Sequence, residues 1–177
     1  GKKLVVITAG GGGDGYPMMD AYLKALEKYN PQDFRTVMVT GPFMSKEQRL
    51  DLSKRAKNLS VTFYHFYRRM EKLFSNADLV VSMGGYNTIC EILSHKQVSL
   101  IVPRETPRLG QTIRANVLKE QNLADFLPWH KLGPDTIMEK INHLLNNSNS
   151  IREAINNFNF TGLEVMHDRV GYFKDNC

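Results

Sequence analysis

Apolar residues fall along this chain in two alternating patterns. Short runs rich in β-branched residues occupy residues 4–9, 34–40, 60–64, 77–81 and 98–102. They are too short for helices, and the first, Leu-Val-Val-Ile-Thr-Ala, has no polar face, as expected of a strand buried on both sides. Between the runs, apolar positions recur at helical spacing: Met18, Met19, Tyr22, Ala25 and Leu26; then Tyr86, Ile89, Cys90 and Leu93; then Ile137, Met138, Ile141 and Leu144. Pro17 suits a first helical turn, and Asn30-Pro31 suits its end. Ser45 followed by Gln48 forms a capping box for a helix reaching Lys57. The spacing also predicts a short basic helix over 67–74, a helix over 110–121, a short sixth strand over 124–127, a helix over 134–145, and terminal helices over 151–158 and 163–173.

Strands alternating with helices predict an α/β fold: a Rossmann-like, doubly wound parallel sheet of about six strands with helices on both faces. In such sheets ligands bind beyond the carboxyl ends of the strands, where strand order reverses. The loops at those ends are residues 10–15, 41–44, 65–66, 82–87 and 103–111.

The most informative of them is Ser82-Met83-Gly84-Gly85-Tyr86-Asn87-Thr88-Ile89-Cys90-Glu91, read as strand, glycine turn and helix start. The first NH groups of a helix have no partner within it, its dipole makes that end positive, and two glycines permit close approach of a ligand. Asn87, Thr88 and Glu91 share one side of this helix. Glu91 lies roughly 9 Å along the axis from Gly85, about the reach from a diphosphate to a ribose. A carboxylate there can accept two ribose hydroxyls; the plainer alternative is a tight turn followed by an acid that answers the dipole.

Gly10-Gly11-Gly12-Gly13-Asp14-Gly15 contains a formal dinucleotide fingerprint after a strand and before a helix. The acid that such a site needs at the end of the second strand is missing, since Val39-Thr40-Gly41-Pro42 stands there, and Gly41 and Pro42 crowd the adenine position. An NAD site is therefore disfavoured. Gly12 and Gly13 remain candidates for turning backbone NH groups toward an anion. In the loop over 103–111, Arg104, Glu105 and Arg108 lie at a strand's carboxyl end, and Gln111 offers a donor and an acceptor to sugar hydroxyls or caps its helix. Arg114, one turn on, reaches a phosphate or faces water. His65 stands among Phe63, Tyr64, Phe66 and Tyr67, an aromatic group suited either to packing on a base or to the core.

Composition narrows the rest. The 177 residues are enough for one full-sized domain, with no internal repeat. Two cysteines far apart, Cys90 and Cys177, make neither a disulfide framework nor a zinc pattern, and Cys90 reads as core. A reducing, cytoplasmic setting follows. The net charge of +5 is mild and scattered, which suits an anionic ligand or membrane surface and argues against nucleic acid. The histidines show no metal spacing, no Ser-His-Asp set can be argued, and Asp14, Asp78 and Glu91 are not a defensible carboxylate pair. The chain enters its first strand by Leu4 without an initiator Met, as expected of a domain cut from a longer protein.

Two segments together resemble a known family. Residues 77–91, ending in Gly84-Gly85-Tyr86-Asn87-Thr88-Ile89-Cys90-Glu91, and Val102-Pro103 followed by Gln111 and Arg114-Ala115 resemble the donor half of GT-B glycosyltransferases. The branch is the one containing the bacterial enzyme that adds N-acetylglucosamine to make lipid II. The glycine-rich start, residues 10–15 running into Tyr16-Pro17, resembles a set of predicted glycosyltransferases more closely still. The resemblance implies a GT-B C-terminal half that binds a UDP-sugar for an inverting transfer to an acceptor hydroxyl. Glu91 would hold the ribose, and Gly84, Gly85 and Thr88 would line the diphosphate. Gln111 would contact the sugar or phosphates, and Phe66-Tyr67 would present backbone groups to uracil. It implies no metal or redox cofactor. It places the catalytic base in an N-terminal acceptor domain outside this chain, so residues 1–177 alone are expected to be inactive, and it admits a lipid-linked acceptor at the inner face of a membrane. A donor-binding subunit of a two-component enzyme, and an epimerase of the same fold, are the alternatives. Met83-Gly84 departs from the Arg-Ser of the lipid II enzyme, and Gly110 replaces a polar or acidic residue of many relatives, which leaves sugar identity open.

Overall fold

In a computed structural model, which describes residues 1–105 and 109–159, one parallel sheet carries the chain. The elements run β1 (Lys3–Thr8), α1 (Tyr16–Tyr29), β2 (Phe34–Val39), α2 (Lys46–Ala56), β3 (Val61–Tyr64), α3 (Met70–Asn76) and β4 (Leu79–Ser82). They continue with α4 (Tyr86–Ser94), β5 (Ser99–Ile101), α5 (Gly110–Glu120), β6 (Asp125–Phe126), a 3-10 turn (Trp129–Lys131), α6 (Pro134–Asn146) and α7 (Asn149–Asn157). The expected helix over 163–173 and the candidate Arg108 lie outside the described residues.

The six strands are ordered β3-β2-β1-β4-β5-β6, all pairs parallel. The chain winds outward from β1 to β3, returns to the centre, and winds outward again from β4 to β6. The order reverses between β1 and β4, so the loops leaving those two strands diverge to opposite faces and open a crevice.

The unbroken apolar runs are explained by two cores, one on each face. Val5, Ile7, Leu79 and Val81 face a large cluster built with Met18, Met19, Tyr22 and Leu23 of α1 and Ile137, Met138 and Ile141 of α6. Leu4, Val6 and Val80 face a smaller cluster with Phe74 of α3 and Ile92 of α4. Interior positions of a strand with neighbours on both faces favour apolar residues, since each buried aliphatic side chain is worth roughly 1.5–3 kcal/mol; the buried polar residues Thr8, Ser82 and Ser99 fall at the strand ends. The centre is further tied by a reciprocal pair: the Leu4 NH donates to Asp78 Oδ2 at 2.7 Å, and the Asp78 NH to the Leu4 carbonyl at 2.8 Å.

Three details correct the sequence reading. The helix expected from residue 67 begins at Met70, because Arg69 is non-helical and residues 65–69 form a loop over the sheet edge. Tyr86 does not belong to the apolar face of α4: it is 68% exposed, and Ile89, Ile92 and Leu93 carry that face. Cys90 is half-buried rather than core.

Candidate functional site

The carboxyl ends of the strands carry a continuous trough made of two clefts that share Gly10, Gly11, Asn87 and Thr88. The central cleft, about 360 Å³, lies over the β1–β4 reversal. The glycine loop after β1 forms one wall and the start of α4 the other.

Local sequence dictates both walls. Gly12 is buried at φ +95°, and a Cβ there would stand 2.3 Å from the Thr40 carbonyl. Gly41, at φ +87°, presses equally closely on the Gly10 carbonyl. The two loops therefore interlock backbone to backbone, with the Phe43 NH donating to the Gly11 carbonyl at 2.8 Å. Both glycines line the cleft, but Gly12 is packed against the Thr40 carbonyl, whereas a Cβ on Gly13 would meet open space. The NH groups of Gly11 and Gly13 find no acceptor among the described residues.

On the other wall Gly85 is the N-cap of α4, so no side chain covers the NH groups of Tyr86, Asn87 and Thr88. Those donors, and the positive end of the helix dipole, face the same space as the glycine loop. Gly84 does not line either cleft. It makes the turn, at φ +76°, with its α-hydrogen side against Ile101, and its carbonyl accepts from Arg114 Nε at 3.2 Å. Arg114, half-buried, thus braces the glycine turn through Nε.

The second cleft, about 230 Å³, extends toward β3 and is lined by Gly41, Pro42, Phe66, Tyr67 and Glu91. The His65 carbonyl accepts from the Gly41 NH at 3.0 Å and Thr40 Oγ1 at 3.3 Å, fixing the aromatic loop against β2. Tyr67 stacks in a tilted pair on Tyr64 with ring centroids 4.9 Å apart. The NH groups of Phe66 and Tyr67 meet no acceptor among the described residues. Glu91 is exposed on the cleft side of α4, and its carboxylate makes no hydrogen bond or ion pair among the described residues.

Of the residues singled out from sequence, Gly12, Gly13, Gly85, Asn87, Thr88, Arg104 and Gln111 converge on the central cleft, Tyr67 and Glu91 on the second, and Gly84 stands behind the walls. Gln111 Oε1 accepts the Arg104 NH at 3.1 Å, and Thr112 Oγ1 donates to the Arg104 carbonyl at 3.1 Å, so Gln111 also braces the loop that carries Arg104. Sequence reasoning missed Phe43, 78% exposed at the cleft wall, and the salt bridge between Arg104 and Asp14. Phe43 had a signal in its place, two residues after Gly41 in the loop that leaves β2; the salt bridge had none. Among the described residues no three His, Cys, Asp or Glu side chains gather in a group able to hold a metal ion. None of the described helices is long and apolar enough to cross a membrane.

A family model described as the glycosyltransferase family 28 C-terminal domain matches residues 5–170. The chain belongs to that family. It is 28% identical over 158 residues to the UDP-N-acetylglucosamine--N-acetylmuramyl-(pentapeptide) pyrophosphoryl-undecaprenol N-acetylglucosamine transferase of Finegoldia magna, covering 88% of this chain and 42% of that enzyme. The enzyme of the same name from Streptococcus agalactiae is 39% identical over 82 residues, 45% of this chain and 23% of that one. The chain thus spans less than half the length of the relatives it matches. Among solved structures, MurG of Acinetobacter baumannii superposes at a TM-score of 0.69 with 19% identity, over 88% of this chain and 44% of that one. The calicheamicin glycosyltransferase CalG4 does so at 0.70 with 18% identity, over 87% and 37%. The resemblance read from residues 77–91 and 102–115 holds for the family, and the fold is that of the glycosyltransferase C-terminal domains.

Proposed function

We propose that this domain binds a UDP-sugar donor for an inverting glycosyltransferase. The observation that carries this reading is the trough at the β1–β4 reversal, where uncapped NH groups of α4 and the glycine loop face one space and the unpaired Glu91 carboxylate lies farther along the same helix. The uncapped donors suit a diphosphate. Glu91 suits ribose hydroxyls, and the Phe66 and Tyr67 NH groups suit the edge of a uracil.

The chemistry is a direct displacement at the anomeric carbon. The acceptor hydroxyl gives up its proton to a base, which we assign to an N-terminal domain beyond this chain. The departing diphosphate is stabilised by the helix start and the glycine-loop NH groups, which are already in place before charge develops. This scheme calls on no metal or redox cofactor. The pyrophosphoryl-undecaprenol acceptor for which the relatives are named supports a lipid-linked acceptor here, and we place the reaction at the cytoplasmic face of a membrane, to which the net charge of +5 is suited.

Calorimetric titration with UDP and with NAD tests the reading. UDP binding in preference to NAD is expected; NAD binding without UDP binding overturns it. The same reading expects no glycosyl transfer by residues 1–177 alone.

A further inference from the structure

The trough does not end at Arg104. A third hollow, about 300 Å³, shares Gly13, Asp14 and Arg104 with the central cleft and is bounded beyond them by Gln48 and Trp129. At the junction an Arg104 Nη1 donates to Asp14 Oδ2. The partners come from different loops, after β5 and after β1. Their pairing leaves groups unused. Arg104 Nε is buried without a hydrogen-bond partner. Asp14 Oδ1 and the Gln48 side-chain amide have none among the described residues.

A carboxylate at the rim of an anion site is electrostatically misplaced, because it repels the ligand that its own partner attracts. A diphosphate offers a guanidinium several oxygens in place of one carboxylate, and more charge. We propose that donor binding exchanges this pair: Arg104 turns from Asp14 to the diphosphate, and the freed Asp14 carboxylate accepts hydroxyl hydrogen bonds from the hexose ring of the same ligand. The ring lies in the third hollow, between Gln48 and Trp129. The order of the three spaces, from Glu91 through the glycine loop to Trp129, is then the order of nucleoside, diphosphate and hexose. The hollow has the chemistry of a sugar site, with a carboxylate and an amide for hydroxyl edges and an indole for the apolar face of the ring. No covalent bond changes; the exchange makes sugar recognition conditional on the diphosphate.

This inference rests on the nucleotide-sugar reading, and calorimetry with UDP and UDP-N-acetylglucosamine separates the two. The wild-type chain is expected to bind the sugar nucleotide about five- to tenfold more tightly than UDP, the worth of about one hydrogen bond. Asp14→Asn should move the two ligands in opposite senses. UDP should bind about threefold or more tightly, because Arg104 is released and a like charge removed, while the increment from the hexose disappears. Arg104→Met reads the exchange from the other side and should weaken both ligands about tenfold or more. Trp129→Ala should lower the hexose increment and leave UDP unchanged. An Asp14→Asn chain that binds UDP more weakly, or keeps the hexose increment, overturns the exchange. A wild-type chain that binds UDP with no hexose increment overturns it while leaving the nucleotide site standing. Absence of UDP binding overturns both.

Discussion

Arg114, one turn into α5, reaches across to the glycine turn before α4, its Nε donating to the Gly84 carbonyl at 3.2 Å. This bond sets the position of the Gly84 peptide and, through it, the direction of the α4 amides. Arg114→Ala is expected to weaken UDP binding about three- to tenfold, the loss of one charge-assisted hydrogen bond partly recovered by relaxation. A titration at low and high salt decides the mechanism: a brace leaves the salt dependence of the wild type, whereas a phosphate contact would flatten it.

Glu91 should behave in the opposite way. Its carboxylate has no partner among the described residues and stands on the exposed side of α4, so Glu91→Ala should leave the thermal midpoint unchanged. If it accepts two ribose hydroxyls, its loss costs about 2–3 kcal/mol of UDP binding, on the order of a thirty- to hundredfold weaker complex. Unchanged affinity in a folded variant would remove the ribose role.

Gly12→Ala is expected to destabilise by about 2 kcal/mol or more, because a Cβ would meet the Thr40 carbonyl at 2.3 Å and the φ of +95° is closed to L side chains. Gly13→Ala meets nothing within 4 Å and should cost under about 1 kcal/mol in stability. Denaturant midpoints of the two variants, neighbours in sequence, distinguish the packing glycine from the open one.

Asp125 gives the fold an acid-sensitive point far from the trough. Burial pushes its carboxyl up, but hydrogen bonds from Lys119 at 2.7 Å, Lys140 at 2.6 Å and the Phe126 NH more than offset that and hold it below the ordinary value of 3.8. A carboxyl lowered by folding stabilises the native state above its ordinary value, and that contribution fades as pH falls through the folded one. Asp125→Asn should therefore cost about 1–2 kcal/mol near pH 7, a figure discounted for the exposure of both lysines, and much less near pH 2. A constant difference between variant and wild type across that range would refute the assignment.

The fold was legible because a doubly covered parallel sheet writes itself as apolar runs. Val5-Val6-Ile7 and Leu79-Val80-Val81 have no polar alternative, and the helices between them show their period. Even the two-residue β6 could be read, from the apolar run that contains Asp125 and Phe126. Periodicity failed where function interrupts packing. Tyr86 stands at a helical apolar position, yet it begins the helix at the rim of the trough and turns outward. Glu91, Asn87 and Thr88 were found because they are neighbours on one helix, a local relationship. Arg104–Asp14 and Arg114–Gly84 join separate loops and helices, and nothing in spacing or composition announces such pairs.

The reciprocal bonds between Leu4 and Asp78 join positions 74 residues apart and lock the two central strands side by side. The trough's walls are carried by these same strands, so its two halves face one another only after the first and second halves of the chain have found each other. Any nucleotide that bridges the walls consequently acts as a cross-link on the whole sheet. Its affinity should be readable as resistance to unfolding, and a substitution at the Leu4–Asp78 clip should weaken binding from the far end of the strands without touching the ligand.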